Sequence, residues 1–400
     1  MLVKDTLLMK TVIFYATPAH GHINPTLYFV RKLVEKQWRV IYYATDEFKE
    51  KIINAGAEYV EYDPHETGKI KIDIEKGSEF LKLYRIFLEA TLHITDSLVG
   101  QAKQYKPDLI IHDTQATWGR RAAEILKVPA VSFNTFAIMK NIFNPSFWAY
   151  TKVGENVFDF FNHINEIPKI NELKNKLRKK YHFRKIGIIS TVMNREKLNI
   201  MSFSRKFQPG EKTFGDDYFF LGPVQICRRE EFFDDLRNLP EKLILASLGT
   251  VTKDRTFIDM LFENLGNTEY TIVLSKGNVE VEPETVPDNF IIKDYVNQIR
   301  ILQKAKLFIT TGGLNSINEA IKFNVPCLIY PTQGEKQMMA QAVKKMGFGD
   351  IIYDFRNIKK QIDTVLKKYE NWNYKLAEEL TEIHMEELLL KLDEYSTPKS

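Results

Sequence analysis

Cysteine is scarce: the 400 residues contain two, Cys227 and Cys327. Two cannot build a disulfide framework or a cysteine zinc site. Both are expected to be reduced and buried, as in a cytoplasmic protein. Long apolar runs are absent too. No stretch approaches the ~18 consecutive apolar residues of a membrane-spanning helix, so no integral membrane association is expected. Residues 1–10 carry Lys4, Asp5 and Lys10 without a clean apolar stretch after a basic start, so no signal peptide is expected. A strong charge excess is missing. Lys and Arg number 56 against 52 Asp and Glu, a net +4 that is too small to imply a nucleic-acid partner. Several chemical signatures are also absent. No GxGxxG follows the first strand, which argues against a dinucleotide fold. There is no GK[ST] element for a P-loop, no GxSxG nucleophile elbow, and no Asp-x-Asp metal pair at the strand ends.

What is present is an ordinary globular composition, 44% hydrophobic and 27% charged. The length is enough for two or three domains. Short apolar runs rich in β-branched and aromatic residues alternate with amphipathic stretches. Residues 11–16 (TVIFYA), 39–44, 108–112 (DLIIH) and 130–133 (AVSF) read as buried strands. After the first strand, Asn24 and Pro25 suit a helix N-cap and first helical position, ahead of a helix over residues 26–36. The middle differs: residues 136–161 are dense in aromatics and 174–185 are basic. Gln208, Pro209 and Gly210 break the pattern, which puts a boundary near residues 205–225. The rhythm restarts at residues 243–248 (LILASL), 271–275, 307–311 and 327–330, and residues 360–395 read as helical. The fold class is therefore α/β, with two doubly wound Rossmann-like domains facing a central cleft. The N-terminal domain is expected over residues 1–215 and the second over 216–375. A C-terminal helix over 376–400 is expected to pack back on the first. Ligands in such sheets bind beyond the carboxyl ends of the strands.

Candidate chemistry sits at those ends. The first strand runs into Thr17-Pro18-Ala19-His20-Gly21-His22-Ile23-Asn24-Pro25. An imidazole there can act as a general base near neutral pH, or the two histidines simply brace the turn. Asp113 ends another strand. It can fix the tautomer of a neighbouring histidine and stabilise the imidazolium, or cap a helix. In the second half, Ser247-Leu248-Gly249-Thr250 follows one strand. Thr310-Thr311-Gly312-Gly313-Leu314-Asn315-Ser316 follows another and opens a helix whose free N–H groups favour a phosphate. Glu319, one turn further, either accepts from a ribose diol or lies solvated on the helix surface.

Together these segments resemble family 1 glycosyltransferases of the GT-B fold, the group of bacterial macrolide glycosyltransferases and plant UDP-sugar transferases. The resemblance is strong over residues 11–63 and 243–349 and weak between about 136 and 225. It implies that His22 is the catalytic base and Asp113 its partner. It implies a donor-phosphate loop at SLGT with Thr250, an aromatic at Tyr295 stacked on the base, and Gln298 on base or ribose. It further implies Glu319 on ribose, the turn of Gly313, Asn315 and Ser316 on the diphosphate, and Thr311 nearby. Relatives grip sugar hydroxyls with an Asp-Gln or Glu-Gln pair; here Glu335 is followed by Lys336, with Gln337 one place on. Thr311 stands where relatives usually carry His, and Tyr295-Val296-Asn297-Gln298 where they read WxPQ. These departures bear on which sugar is taken.

The implied activity is inverting, metal-independent transfer from a UDP-sugar or other NDP-sugar donor to a hydroxyl of a small acceptor, with no further cofactor required. The aromatics of 136–161 belong either to an acceptor pocket for an apolar or aromatic molecule or, for most of them, to the domain core. The basic run 174–185 is expected to be the solvated face of a helix rather than a contact for an anionic surface. Two other functions share these features. One is a non-catalytic sugar-nucleotide-binding helper of a partner transferase, motivated by Thr311 and Lys336 and opposed by the intact His22 and Asp113. The other is a hydrolysing sugar-nucleotide epimerase, opposed by the HGHINP loop.

Overall fold

The computed structural model describes residues 9–63, 80–138, 164–183, 186–187, 191, 194–224, 240–249, 254–332, 334–369 and 374–396. They form two compact units. The first takes in the described residues up to 224 together with 383–396; the second takes in 240–382.

The first unit is built on a seven-stranded sheet. Its strands are β1 (Thr11–Tyr15), β2 (Arg39–Ala44), β3 (Glu58–Glu61), β4 (Leu109–Asp113), β5 (Ala130–Asn134), β6 (Leu198–Met201) and β7 (Tyr218–Phe220). They lie in the order β3-β2-β1-β4-β5-β6-β7, and every pairing is parallel. Side chains alternate between faces along a strand. Val12 and Phe14 of β1 therefore join a core with α1 (His20–Glu35), through Ile23, Phe29, Val30 and Leu33. Ile13 and Tyr15 join a second core with α3 (Phe80–Tyr105), through Ala90, Ile94 and Leu98, and with α4 (Thr117–Leu126), through Trp118, Ala122 and Ala123. A short helix α2 (Lys49–Asn54) precedes β3, and α5 (Ile167–Tyr181) packs Ile170, Leu173 and Leu177 against Leu81, Tyr84 and Leu88 of α3. Burial on both faces explains why these strands read as continuous apolar runs.

Strand β7 pairs with β6, so the first unit runs past residue 215 and takes in residues up to 224. The break at Gln208-Pro209-Gly210 is a turn within the unit: Gly210 takes φ +66°, and Gln208 Nε2 donates to the carbonyl of Ile138 at 2.6 Å.

The second unit has a six-stranded, wholly parallel sheet. Its strands are β8 (Leu243–Ser247), β9 (Thr271–Ser275), β10 (Phe290–Lys293), β11 (Leu307–Thr310), β12 (Cys327–Ile329) and β13 (Gly349–Ile351). The order is β10-β9-β8-β11-β12-β13. Helices α6 (Arg255–Leu265) and α10 (Ile358–Tyr369) share a core with Ile244, Ala246, Ile272 and Leu274. The remaining helices are α7 (Gln298–Leu302), α8 (Leu314–Lys322), α9 (Gly334–Met346) and α11 (Tyr374–Thr381). Cys327 is buried, and burial pushes its thiol up to about 12. Cys227 lies outside the described residues.

The last helix, α12 (Met385–Ser396), belongs to the first unit. Leu388, Leu389 and Leu392 enter the core that holds Val12 and Phe14. Asp393 binds Lys10 Nζ at 3.0 Å and Lys36 Nζ at 2.8 Å. Burial raises its carboxyl, but bonding to Lys36 and Lys10 outweighs that and holds it below the usual range. Among the described residues, no helix is long and apolar enough to cross a membrane. Leu388 is fully buried, so Leu388→Ala is expected to lower stability by about 2–5 kcal/mol, measured by urea unfolding of the first unit's tryptophan signal.

Candidate active site

In the first sheet the connections run one way from β1 to β3 and the other way from β4 onward. Such reversals open a crevice at the carboxyl ends of the two central strands. His22 and Asp113 both lie at this edge, close to the ends of β1 and β4. His22 Nδ1 is 2.8 Å from Asp113 Oδ2; the side chains are 13% and 1% exposed. The second carboxylate oxygen is held as well. Thr17 Oγ1 donates to Asp113 Oδ1 at 2.7 Å, and the Gln115 N–H donates to the same oxygen at 2.8 Å. With Nδ1–H directed at the carboxylate, the neutral imidazole carries its lone pair on Nε2.

The local backbone departs from the sequence expectation in one respect. Helix α1 starts at His20, with Ala19 as its N-cap and Pro25 inside it; Asn24 is not the cap. The carbonyl of Ala19 accepts from the N–H groups of both His22 and Ile23 at 3.0 Å. Proline's fixed φ is itself helical, and its missing N–H removes only a bond towards Gly21 near the open end of the helix. His22 therefore stands on the rigid first turn of a helix rather than in a loop. His20, one turn face away, is exposed and packs its ring edge on Phe48 at 5.0 Å.

Phe136 meets the His22 ring edge-on at 5.8 Å. The aromatics from Phe143 to Phe161 lie outside the described residues, as do the last two positions of the basic run. Of its described part, 174–183, residues 174–181 lie on α5 with Leu177 buried and Lys176 and Lys180 in ion pairs with Glu172 and Asp96. Two supports of Asp113 were not singled out from the sequence. Thr17 is one, and its place two residues past β1 was the available signal. The other is a buried group around His112, whose Nδ1 is 3.2 Å from Asn194 Nδ2 and whose Nε2 is 3.2 Å from Glu196 Oε1. Asn194 comes from a segment more than 80 positions along the chain, which no local pattern reveals.

The second unit repeats the reversal between β8 and β11. Beyond β11, Gly312 takes φ +92°, a left-handed conformation that glycine adopts at little cost. A Cβ there would stand 2.8 Å from Ile329 Cγ2 and 3.2 Å from the Lys336 carbonyl oxygen. Gly313 is different: it is the N-cap of α8 at φ −62°, and a Cβ there would meet nothing within 4 Å. Asn315 and Ser316, half-buried, occupy the first turn of α8. Gln298 opens α7, capped by Asn297 Oδ1, which accepts from the Arg300 N–H at 3.1 Å. Gln298 Nε2 donates to Glu319 Oε2 at 2.6 Å and lies 3.2 Å from Ser316 Oγ. Glu319 is buried, at 9% exposure, and is not a solvated helix residue. Tyr295 is 48% exposed, with its hydroxyl on Asn278 Oδ1 at 3.1 Å.

Thr311 is buried, and its hydroxyl donates to the Leu248 carbonyl at 3.1 Å. Lys336 Nζ lies 3.2 Å from Thr311 Oγ1 and 3.2 Å from Thr332 Oγ1. Burial lowers the Lys336 ammonium pKa, with nearby Glu335 opposing the shift. Glu335, Lys336 and Gln337 are consecutive on α9 and half-buried. Consecutive helical residues point about 100° apart. It is Lys336 that reaches Thr311. Thr250 lies outside the described residues. No group of three or more His, Cys, Asp or Glu side chains able to hold a metal ion occurs among the described residues.

Comparison with known proteins covers most of the chain. Residues 240–394 match the family model described as UDP-glucoronosyl and UDP-glucosyl transferase. NDP-glycosyltransferase YjiC of Bacillus subtilis is 31% identical over 83% of this chain and 82% of its own. Oleandomycin glycosyltransferase of Streptomyces antibioticus is 26% identical over 86% of this chain and 75% of its own. Among solved structures, the kitacinnamycin glycotransferase superposes with a TM-score of 0.77 at 19% identity, covering 98% of this chain and all of that one. The fold is GT-B.

The two glycines separate conformation from space. Gly312→Ala forces both a left-handed φ and two close contacts, and should cost about 1–3 kcal/mol. Gly313→Ala should change stability by less than about 0.5 kcal/mol. Urea unfolding of both variants tests the contrast; equal effects would contradict it.

Proposed function

The chain belongs to the UDP-glucoronosyl and UDP-glucosyl transferase family, and from that premise we propose an inverting transfer with His22 as general base. The protein is a glycosyltransferase that takes a sugar from a nucleotide-sugar donor. In the proposed step, His22 Nε2 removes the proton of an acceptor hydroxyl as its oxygen attacks the anomeric carbon. A new carbon–oxygen bond forms on one face of the sugar while the bond to the diphosphate breaks on the other, which inverts the configuration. The proton ends on His22, and the nucleoside diphosphate leaves with the bonding pair.

The observation that carries this reading is the 2.8 Å contact between His22 Nδ1 and a buried carboxylate. It selects the tautomer with an acceptor nitrogen at Nε2, and it gives the imidazolium formed in the step a counter-charge. Asp113 is the partner in this reading, and Thr17 and the Gln115 N–H keep its carboxylate in place. Phe136 beside the imidazole favours an acceptor that is small and apolar or aromatic.

For the donor, the proposed roles follow the second unit's polar groups. Tyr295 offers an exposed ring for the base to stack on. Glu319, oriented by Gln298, accepts from ribose hydroxyls. The first turn of α8, with Gly313, Asn315 and Ser316, receives the diphosphate, whose negative charge a helix N-terminus favours. The unobstructed space at Gly313 fits this role, because its glycine is needed neither for φ nor for packing within the chain. Thr250 joins the diphosphate group, and Glu335 and Gln337 the sugar group, by resemblance to the family. The charge of the leaving diphosphate is met by N–H groups and hydroxyls, so the proposed chemistry calls on no metal or further cofactor.

His22→Ala should leave nucleoside diphosphate binding unchanged and lower turnover by about 10²–10⁴-fold; turnover near that of the parent would remove His22 from the base role. Tyr295→Ala should weaken binding of the nucleoside diphosphate by about 1–3 kcal/mol, the usual worth of base–aromatic stacking. Calorimetric titration with UDP, dTDP and GDP, with acceptor-dependent release of the diphosphate followed in parallel, reads both.

A further inference from the structure

We infer that Tyr42, acting through Thr26, is a positioning residue that sets the angle at which His22 faces Asp113. This rests on the reading of His22 as the base and extends it to a buried hydroxyl pair that neither the family resemblance nor that reading assigns.

The N-cap of α1 is Ala19, and alanine offers no capping oxygen of the kind that commonly fixes a helix start. Pro25 has no N–H to return to Gly21. A polar anchor lies one turn further on. Thr26 follows His22 by four residues and so shares its face of the helix. It is fully buried, and its hydroxyl donates to the Ile23 carbonyl at 2.8 Å. A hydroxyl has one proton to give. The 2.7 Å contact between Thr26 Oγ1 and the Tyr42 hydroxyl therefore has Tyr42 as its donor. Through Thr26, the sheet is tied to the backbone immediately after His22.

Tyr42 is a rigid mount. It lies on β2 in register with Phe14 of β1, and the two rings stack at 4.7 Å with 9° between their planes. The residue is fully buried, in the core that also holds Ile23, Phe29 and Val30. A close-packed ring leaves its hydroxyl one place to be. Burial pushes the phenol well above its ordinary value; the bond to Thr26 opposes this and the charge of Asp113 adds to it. The proton given to Thr26 thus stays in place at any pH at which an enzyme works. Strands β2 and β4 flank β1, and α1 is gripped from both. His22 meets Asp113 on β4, and Thr26 meets Tyr42 on β2. Two anchors on successive turns of one face fix the rotation of the helix as well as its height. A helix turns about 100° per residue, so even a slight rotation carries Nδ1 out of its 2.8 Å contact with the carboxylate.

The test reads the imidazole itself, by nitrogen NMR of the full chain with its histidines labelled at the ring nitrogens. The signals of His22 are those missing from His22→Ala. In the parent its two nitrogens should lie far apart in shift, as a single Nδ1–H tautomer requires. Tyr42→Phe keeps the ring and its stack but removes the donor, and the two signals should move together as the tautomers mix. Thr26→Val should act in the same way, whereas Thr26→Ser, which retains the hydroxyl, should keep the parent pattern. Calorimetric binding of UDP should match the parent in all three. In acceptor-dependent release of UDP from UDP-glucose with a small phenol, Tyr42→Phe should lower kcat by roughly 10-fold with the donor KM unchanged, less than the ~10²-fold that a full 1 Å misplacement can cost. In a His22→Ala background the same change should cost nothing further. Unchanged His22 signals in both Tyr42→Phe and Thr26→Val would overturn the inference. An equal loss of turnover with and without His22 would also overturn it, since the pair would then be bracing the domain rather than the base. Normal turnover in His22→Ala would instead remove the base role, and the NMR comparison, which needs no substrate, would still decide whether Tyr42 sets the imidazole.

Discussion

Every strand pair in both sheets runs parallel, and the placement of all the candidate chemistry follows from that pairing. Parallel strands end at one edge, and each return must cross the sheet face as a helix. Loops that leave the carboxyl ends therefore collect along one rim. In each unit the strand order reverses once, between β1 and β4 and again between β8 and β11. The loops on either side of a reversal are led apart, which leaves room for a ligand between them. His22 and Asp113 stand at one reversal. Thr311 and the Gly312-Gly313 turn stand at the other. Their distance along the chain is irrelevant, because the sheet brings the strand ends together.

Each rim is held by buried polar side chains whose bonds are made inside the protein. Asp113 takes Nδ1 of His22, the Thr17 hydroxyl and a backbone N–H. Glu319 takes Gln298, and Thr311 bridges the Leu248 carbonyl and Lys336. A buried polar group left unmatched is expensive, so a matched one is held tightly in a single orientation. Orientation is what transfer chemistry needs: a base whose lone pair points one way, and donors set before charge develops. The helices contribute stiffness. His22 sits on α1 and Lys336 on α9, so neither depends on a loop for its position.

Much of the fold was legible as sequence because burial on both faces makes a strand a short, unbroken apolar run. Residues 39–44 and 271–275 are strands over the whole of the stretch read from the sequence, and β1, β4, β5, β8, β11 and β12 differ by a residue or so at their ends. Strands β3, β6, β7, β10 and β13 are not read from the sequence, and three of them lack that signal. Strand β3 has an exposed glutamate at each end and only two half-buried residues between, β7 has three residues behind two aspartates, and β13 begins at a glycine. Without β7 the boundary falls at 215, nine residues short of the first unit's described extent at 224. The start of α1 was misread because Asn24-Pro25 has the chemistry of a helix opening, while the carbonyl that opens the helix, that of Ala19, carries no side-chain mark.

The sequence by itself determined the two-unit α/β fold, the strand ends on which the polar residues fall, and the family, because periodicity, turn residues and motif spacing are local properties. Only the tertiary structure decided which of those residues meet. His22 rather than His20 faces Asp113, since a helix turns about 100° per residue and only one of the two can point at the end of β4. Glu319 is buried against Gln298 rather than solvated, because α7 packs beside α8. Two of the three departures from the family pattern, Thr311 and Lys336, prove to be one contact. They lie 25 positions apart in the chain, and only the pairing of β11 with β12, which sets the starts of α8 and α9 side by side, brings the ammonium to the hydroxyl.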